Sequence, residues 1–142
     1  MVLISVDDLK FVGCALCGES SDLRASHVVP SFVFQWLRGT SATGHIRLSD
    51  TPNLRVQDGW KPRMLCGKCE QRFGVWEKAF AEECFGPIVN GTTNRIRYQS
   101  WMLKFATSVS WRVLRVFKAI DGLAGFPEQL IIAADVALKE WG

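Results

Sequence analysis

Apolar residues recur at helical spacing just after the middle of the chain. Cys69, Phe73, Trp76 and Phe80 follow one another at intervals of four, three and four residues, so they share one face of a predicted helix. We expect this helix to end near Phe85-Gly86-Pro87, where glycine and proline favour a turn.

A longer helix is predicted from about Gln99 to Asp121. One continuous apolar stripe runs along this segment, formed by Met102, Phe105, Val109, Val113, Val116 and Ile120. Five other side chains fall away from the centre of the stripe: Lys104, Trp111, Arg112, Arg115 and Lys118. Pro127 opens a last segment that we expect to be helical to about Trp141.

The N-terminal half has little helical periodicity. The segment from Phe11 to Gly18 is typical of a strand that runs into a tight, cysteine-bearing turn. A short helix is predicted from Ser31 to Arg38, after Pro30 and before Gly39. Residues 39–62 are rich in turn-forming types and predict loop and hairpin, with extended segments at His45–Leu48 and Leu54–Val56. The elements together predict an α+β fold.

Composition narrows the class of protein. A chain of 142 residues is about one domain at roughly 100–200 residues per domain, which excludes two large lobes around a cleft. Hydrophobic residues make up 48%, with 9 Phe and 6 Trp, so the chain can bury a core and is not disordered. No apolar run is long enough for a membrane span, and no basic segment precedes the N-terminal apolar stretch, so we expect a cytoplasmic protein.

Four of the five cysteines form two Cys-x-x-Cys pairs, Cys14/Cys17 and Cys66/Cys69. Two such pairs can surround one Zn²⁺ with four thiolates, which leaves no open position for water and makes the predicted zinc structural. The alternative is two unrelated redox thiol motifs, although a thioredoxin-like site needs a βαβ context that this chain lacks. Cys84 is left over and is expected to be a small core residue.

The residues around these pairs resemble the HNH endonuclease superfamily, in the version where two Cys-x-x-Cys pairs bind structural zinc. Ser26-His27-Val28-Val29-Pro30 stands where that family has Asp-His-Ile-x-Pro. Leu65-Cys66-Gly67-Lys68-Cys69-Glu70 stands where it has Leu-Cys-x-x-Cys followed by His or Asn. The likeness covers about Phe11 to Lys78. It implies an α+β fold with a small zinc-stabilised ββα-metal core and a helical C-terminal extension.

The resemblance also implies a catalytic site. His27 would be the general base, and Glu70 would stand at the later position that binds a catalytic divalent ion, Mg²⁺ or Mn²⁺. Ser26 replaces the aspartate that binds this ion in the family, and it would act through a water molecule or by orienting His27. Asp58 and Asn53 are candidates for the family's central asparagine, and Asp58 is chemically the better metal ligand.

Each candidate also has a purely structural interpretation. His27 can be a histidine that hydrogen-bonds its own loop, and Asp58 can be an ordinary turn residue. Glu77 follows Glu70 by two helical turns, so the two carboxylates either share a site or form a solvated flank. His45 has no motif around it and is expected to be a loop residue.

Charge permits a nucleic-acid partner without requiring one. The chain has 17 Lys and Arg against 14 Asp and Glu, a formal charge of +3. Four basic residues cluster around the second cysteine pair and are the candidate phosphate contacts: Lys61, Arg63, Lys68 and Arg72. Trp60 and Trp111 lie near basic residues in the sequence and are candidates for stacking on bases, although most tryptophans in a small domain belong to the core.

We therefore expect residues 1–90 to form an HNH-like zinc-binding domain, on which a helical extension of residues 91–142 packs as one compact unit. The predicted activity is metal-dependent hydrolysis of phosphodiester bonds in nucleic acid, with DNA as the expected substrate. One alternative is a catalytically inactive zinc module that binds nucleic acid or a protein. The C-terminal helices are a further candidate surface for a homo-oligomer or a partner subunit.

Overall fold

The computed structural model describes residues 6–20, 22–49, 51–120 and 127–140. Four short strands lie in the N-terminal half: β1 (Leu23–Ala25), β2 (Ile46–Leu48), β3 (Thr51–Val56) and β4 (Arg63–Cys66). The helices are α1 (Ser31–Thr40), α2 (Gly67–Phe80), α3 (Gly86–Val89), α4 (Ser100–Ala119) and α5 (Glu128–Glu140). A 3-10 turn spans Val6–Asp8, and a π-helical turn spans Ala81–Phe85. This is an α+β fold, and no helix in the part of the chain that the structure describes combines the length and apolarity that crossing a membrane requires.

Two separate antiparallel pairs make up the sheet structure. β1 pairs with β4, and Leu23 lies opposite Cys66. β2 pairs with β3 as a hairpin, which confirms the extended segments predicted there. Because α2 begins at Gly67, directly after β4, this helix continues from the first sheet, whose other strand, β1, precedes α1 and the hairpin in the chain.

The strand predicted from Phe11 into the first cysteine turn is wrong. This segment consists of bends and a turn, and β1 follows the turn instead of preceding it. The backbone N–H of Cys14 donates to Glu19 O at 2.9 Å, and that of Ala15 donates to Met64 O at 2.8 Å. The chain therefore folds back on itself at once, which leaves no extended run for a strand.

The predicted helices are present, with small differences at their ends. α1 continues through Gly39 to Thr40, and the Thr40 hydroxyl donates to Trp36 O at 2.9 Å in its last turn. The helix predicted from Cys69 runs on through a π-helical turn, so the expected end near residues 85–87 is a change of helix type rather than a stop. The predicted ends at Asp121 and Trp141 lie outside the described residues.

The core joins the second cysteine pair to the C-terminal helices. Phe73 and Trp76 on α2 belong to the same buried cluster as Trp111 on α4 and Leu138 on α5. Edge-to-face packing brings the Phe73 and Trp111 ring centroids within 5.9 Å. A smaller buried cluster, Val6, Leu9, Val28 and Val116, packs the N-terminal segment and the residues after β1 against α4.

The orientation of α4 differs from the one that its apolar stripe indicates. Trp111 and Arg112, expected to fall away from the stripe, are fully buried, with relative exposures of 0% and 2%. The reason is that α4 lies between two helices: Trp111 donates to the Asp135 carboxylate on α5, and Arg112 contacts the Glu77 carboxylate on α2. Trp111 is therefore a core residue and not a base-stacking one.

We predict that Trp111→Ala lowers the free energy of unfolding by about 3–5 kcal/mol, because it leaves a cavity between α2, α4 and α5. Trp60→Ala is the matched control, since Trp60 is 45% exposed and its loss should cost less than about 1 kcal/mol. Urea unfolding of zinc-loaded protein measures both changes. Equal losses in the two variants would contradict this description of the core.

Candidate functional site

Four thiols converge at the start of α2. The Sγ atoms of Cys14, Cys17, Cys66 and Cys69 all lie within 4.8 Å of one another, and Cys17 Sγ lies 3.7 Å from Cys66 Sγ. A tetrahedron of thiolates around zinc, with Zn–S bonds of about 2.3 Å, has S···S edges of about 3.8 Å. The spacing is too long for a disulfide bond, and all four cysteines are free thiols. The cluster is consistent with the structural zinc predicted from the sequence.

Local backbone geometry brings the two pairs together. The first pair lies on a tight turn in which the Gly18 N–H donates to Cys14 O at 2.8 Å. Gly18 has φ = 78°, a conformation that glycine adopts without a steric penalty. In the second pair, Cys66 ends β4 and Cys69 lies in the first turn of α2, so the strand-to-helix junction aims both thiols at one point.

Neighbouring thiols also affect pKa values within the cluster. Burial and the neighbouring thiols raise the pKa of Cys69, because a buried thiolate beside other sulfurs is unfavourable without a cation. A Zn²⁺ ion reverses this balance by stabilising all four thiolates. Cys84 lies in the π-helical turn, is buried, and does not belong to the cluster, as expected for a core residue.

His27 lies in the loop after β1 and is fixed by a carboxylate. Its Nε2 lies 3.0 Å from Asp58 Oδ1 and 2.9 Å from Asp58 Oδ2. Asp58 also accepts the Gly59 N–H at 2.9 Å and pairs with Lys61 Nζ at 3.0 Å. A Cβ at Gly59 would overlap the Phe34 ring, so any larger residue next to Asp58 would have to displace that ring.

These contacts define the charge of Asp58 and the proton position on His27. Although burial opposes ionisation, hydrogen bonds from His27, Lys61 and the Gly59 N–H lower the pKa of Asp58 to about 2. A carboxylate acceptor at Nε2 favours the proton on that nitrogen and leaves the lone pair on Nδ1. His27 is therefore a histidine with one ring nitrogen anchored and the other available for a proton.

A cavity of about 180 Å³ brings three of the four predicted catalytic side chains together. Its lining consists of Ser26, His27, Leu65, Glu70, Phe73, Gly74, Glu77 and Arg112. Burial raises the pKa of Glu70, and the charge of Glu77 adds to this shift. The Ser26 hydroxyl is buried and donates to Arg24 O at 3.2 Å. Asp58 joins the site from the other end, through its contact with the imidazole of His27.

Arg112 is the cavity residue whose role the sequence analysis missed. Its Nη1 donates to His27 O at 2.7 Å and lies 2.6 Å from Glu77 Oε1. Burial lowers the pKa of Arg112, and Glu77 opposes that shift. The pKa of arginine is so high that the guanidinium stays charged in proteins. Its Nη2 is buried and has no hydrogen-bond partner among the described residues. The periodicity of α4 gives no signal for this role, because Arg112 lies off the apolar stripe.

The four candidate phosphate contacts have different surroundings. Lys61 pairs with Asp58, and Arg63 donates to Leu23 O at 3.1 Å. Arg72 donates to Leu138 O in the last turn of α5, so it connects α2 to α5. Lys68 is exposed beside the cysteine cluster.

Two further sequence candidates lie away from the cavity lining. Asn53 is exposed on β3, and His45 contacts Gln57 at the base of the same hairpin. Asp58, rather than Asn53, is therefore the residue that contacts His27.

Zinc removal should unfold the region around the first sheet, because the four thiols connect the N-terminal turn to β4 and α2. We expect about one zinc per chain in the purified protein and loss of that zinc in Cys66→Ser. Cys84→Ser is the matched control and should keep its zinc. Metal analysis measures the zinc content of both variants, and far-UV circular dichroism measures their folding. Full zinc content in Cys66→Ser, or loss of zinc in both variants, would contradict the assignment.

Comparison with known proteins adds no assignment to these observations: no family model, curated protein or solved structure matches this chain.

Proposed function

We propose that this protein is a metal-dependent, HNH-like endonuclease that hydrolyses phosphodiester bonds of nucleic acid around a structural zinc. One observation carries the proposal: His27, anchored through Nε2 to Asp58, lines the same cavity as Glu70, at the start of α2. The candidate general base and a carboxylate suited to a divalent ion therefore line the same cavity, close in the chain to the cysteine cluster.

The order of elements supports this proposal. An HNH-like core requires two antiparallel strands followed by a helix, with the histidine near the first strand and the later ligand position on the helix. Here β1 and β4 form the antiparallel pair, His27 follows β1, and Glu70 lies in the first turn of α2. The four thiols hold this unit at the position where the resemblance places zinc.

In the proposed reaction, His27 Nδ1 removes a proton from the attacking water. Asp58 keeps the proton of the neutral ring on Nε2 and stabilises the imidazolium that forms, since its carboxylate is charged at neutral pH. As the new oxygen–phosphorus bond forms, the bond between phosphorus and the leaving sugar oxygen breaks, and that oxygen takes a proton from solvent water. The imidazolium then returns its proton to solvent.

A carboxylate ligand in this cavity suits Mg²⁺ or Mn²⁺, which bind proteins through one or two carboxylates and complete their shell with water and phosphate oxygens. Glu70 is the residue that would hold such an ion, with Ser26 beside it in the lining. The ion would supply Lewis-acid stabilisation of the scissile phosphate. Among the described residues, the four cysteines are the one set of three or more metal-ligating side chains already grouped.

The second candidate function is an inactive HNH-like zinc module that binds nucleic acid or a protein. The Ser26 hydroxyl favours it, because this buried group already donates to Arg24 O at the position where the family has its metal-binding aspartate. Apolar side chains exposed on α5, Leu130, Ile132 and Val136, favour a protein partner or a second copy of the chain.

We predict that zinc-loaded protein nicks supercoiled plasmid with Mg²⁺ or Mn²⁺ and that His27→Ala lowers the rate at least about 100-fold. His45→Ala is the matched control, because it removes the other histidine, which lies outside the cavity lining, and should cleave at the wild-type rate. Linear DNA and RNA tested in parallel define the substrate.

Either of two results would overturn the nuclease. If His27→Ala cleaves as fast as wild type, then the activity has another origin. If neither protein cleaves, and zinc-loaded wild type retains DNA in a salt-dependent way, then the inactive binding module is the correct assignment.

Asp58→Ala should lower kcat at least about tenfold, because the imidazole loses the acceptor that fixes its tautomer and stabilises its charged form. Lys61→Ala is the control: Lys61 contacts the same carboxylate from the solvent side, and its loss should change kcat by about twofold or less. Initial rates of plasmid nicking at saturating DNA provide the comparison. Wild-type kcat in Asp58→Ala would show that the contact with His27 has no role in catalysis.

A further inference from the structure

The peptide group that joins His27 to Val28 is held at both of its polar atoms. Its N–H, that of Val28, donates to Trp60 O at 3.0 Å. Its carbonyl oxygen, that of His27, accepts from Arg112 Nη1 on α4, at 2.7 Å. Arg112, far along the chain, thus provides the contact on the carbonyl side of this peptide.

Arg112 is rigidly held on its own side. Its Nε donates to Ser108 O at 3.2 Å, one helical turn back, and its guanidinium lies 5.3 Å above the Phe73 ring. Glu77 Oε1 approaches to 2.6 Å and balances the charge. With 2% exposure, Arg112 has little freedom to move, so it transmits the position of α4 directly to the His27 backbone.

We infer that Arg112 is a positioning residue for His27: it connects α2 and α4 to the backbone of the candidate base, while Asp58 fixes the imidazole from the opposite side. The inference rests on the proposed function for the role of His27. It assigns the C-terminal helices a part in the site itself, because the segment that follows α3 supplies the arginine. Without this hydrogen bond the His27 carbonyl loses its contact to α4, so the His27 backbone can tilt about the remaining hydrogen bond from Val28 N–H to Trp60 O and misalign the ring with the cavity.

The test removes the arginine without leaving an unpaired buried charge. Arg112→Met alone would leave Glu77 without its partner, which is costly in a buried site, so the informative variant is Arg112→Met/Glu77→Gln compared with Glu77→Gln. Glu77→Gln leaves Arg112 in place but without its counter-charge, so wild type is measured beside both variants and the reference is used only if its zinc content and thermal unfolding match those of wild type. Arg115→Met is the matched control, since Arg115 also lies on α4 and pairs with an acid, Asp135, but makes no contact with His27.

Two measurements distinguish a positioning role of Arg112 from a role in overall stability. Zinc content and thermal unfolding first confirm that each variant is folded. In plasmid nicking, we expect the double variant to lose about 10-fold to 100-fold in kcat, relative to Glu77→Gln, with KM within about twofold. Nitrogen-15 NMR of labelled histidine reports the tautomer of His27 directly, because the chain has two histidines and His45→Ala identifies the other signal. We expect the double variant to change the His27 signals and Arg115→Met to leave them unchanged.

The outcomes are distinct. A double variant with the kcat and His27 signals of Glu77→Gln overturns the positioning role and leaves the proposed nuclease intact. Altered His27 signals in a protein whose wild type cleaves no nucleic acid support the positioning role and overturn the nuclease. If the double variant loses its zinc, Arg112→Lys is tested instead, because lysine keeps the positive charge opposite Glu77. A kcat between those of wild type and His27→Ala then supports the inference. A wild-type kcat with unchanged His27 signals overturns it.

Discussion

The convergence of four thiols is the constraint on which the rest of the structure depends. The first cysteine pair lies on a turn that β1 follows, and the second lies at the junction of β4 and α2. Holding these two places together sets β1 beside β4, and the residues after β1 then lie next to the first turn of α2. His27 and Glu70 share a cavity because His27 follows β1, the partner of β4, while Glu70 follows Cys69 in the first turn of α2.

Charged side chains buried among aromatic rings also fix the positions of the helices. Arg112 lies between Glu77 and the Phe73 ring, and Trp111 beside it donates to Asp135 on the neighbouring helix. Polar groups in such surroundings are costly unless they are paired, so each pair holds its elements in one arrangement. Leu65 and Glu70, which are sequence neighbours of clustered cysteines, therefore line the cavity together with the charged residues Glu77 and Arg112 of α2 and α4.

The sequence analysis succeeded where one physical signal decides the outcome. The Cys-x-x-Cys spacing predicted the cluster, and the face formed by Phe73 and Trp76 predicted α2, because both signals are local. It failed at the first cysteine turn, where the Cys14 N–H bonds within the turn, to Glu19 O, and the Ala15 N–H bonds to Met64 O on β4, so that no strand forms. It also failed for Arg112, whose burial depends on a partner on another helix that no pattern within α4 can reveal.

The long separation between the two cysteine pairs has a consequence for the order of events during synthesis. Cys14 and Cys17 leave the ribosome well before Cys66 and Cys69, so the first two thiols remain without a complete coordination shell while the intervening loop and hairpin are made. Closing so long a loop also costs conformational entropy that local turns do not. The nascent chain therefore passes through an interval in which oxidation competes with zinc capture, and the yield of native protein depends on the free zinc and thiol-reducing capacity of its surroundings.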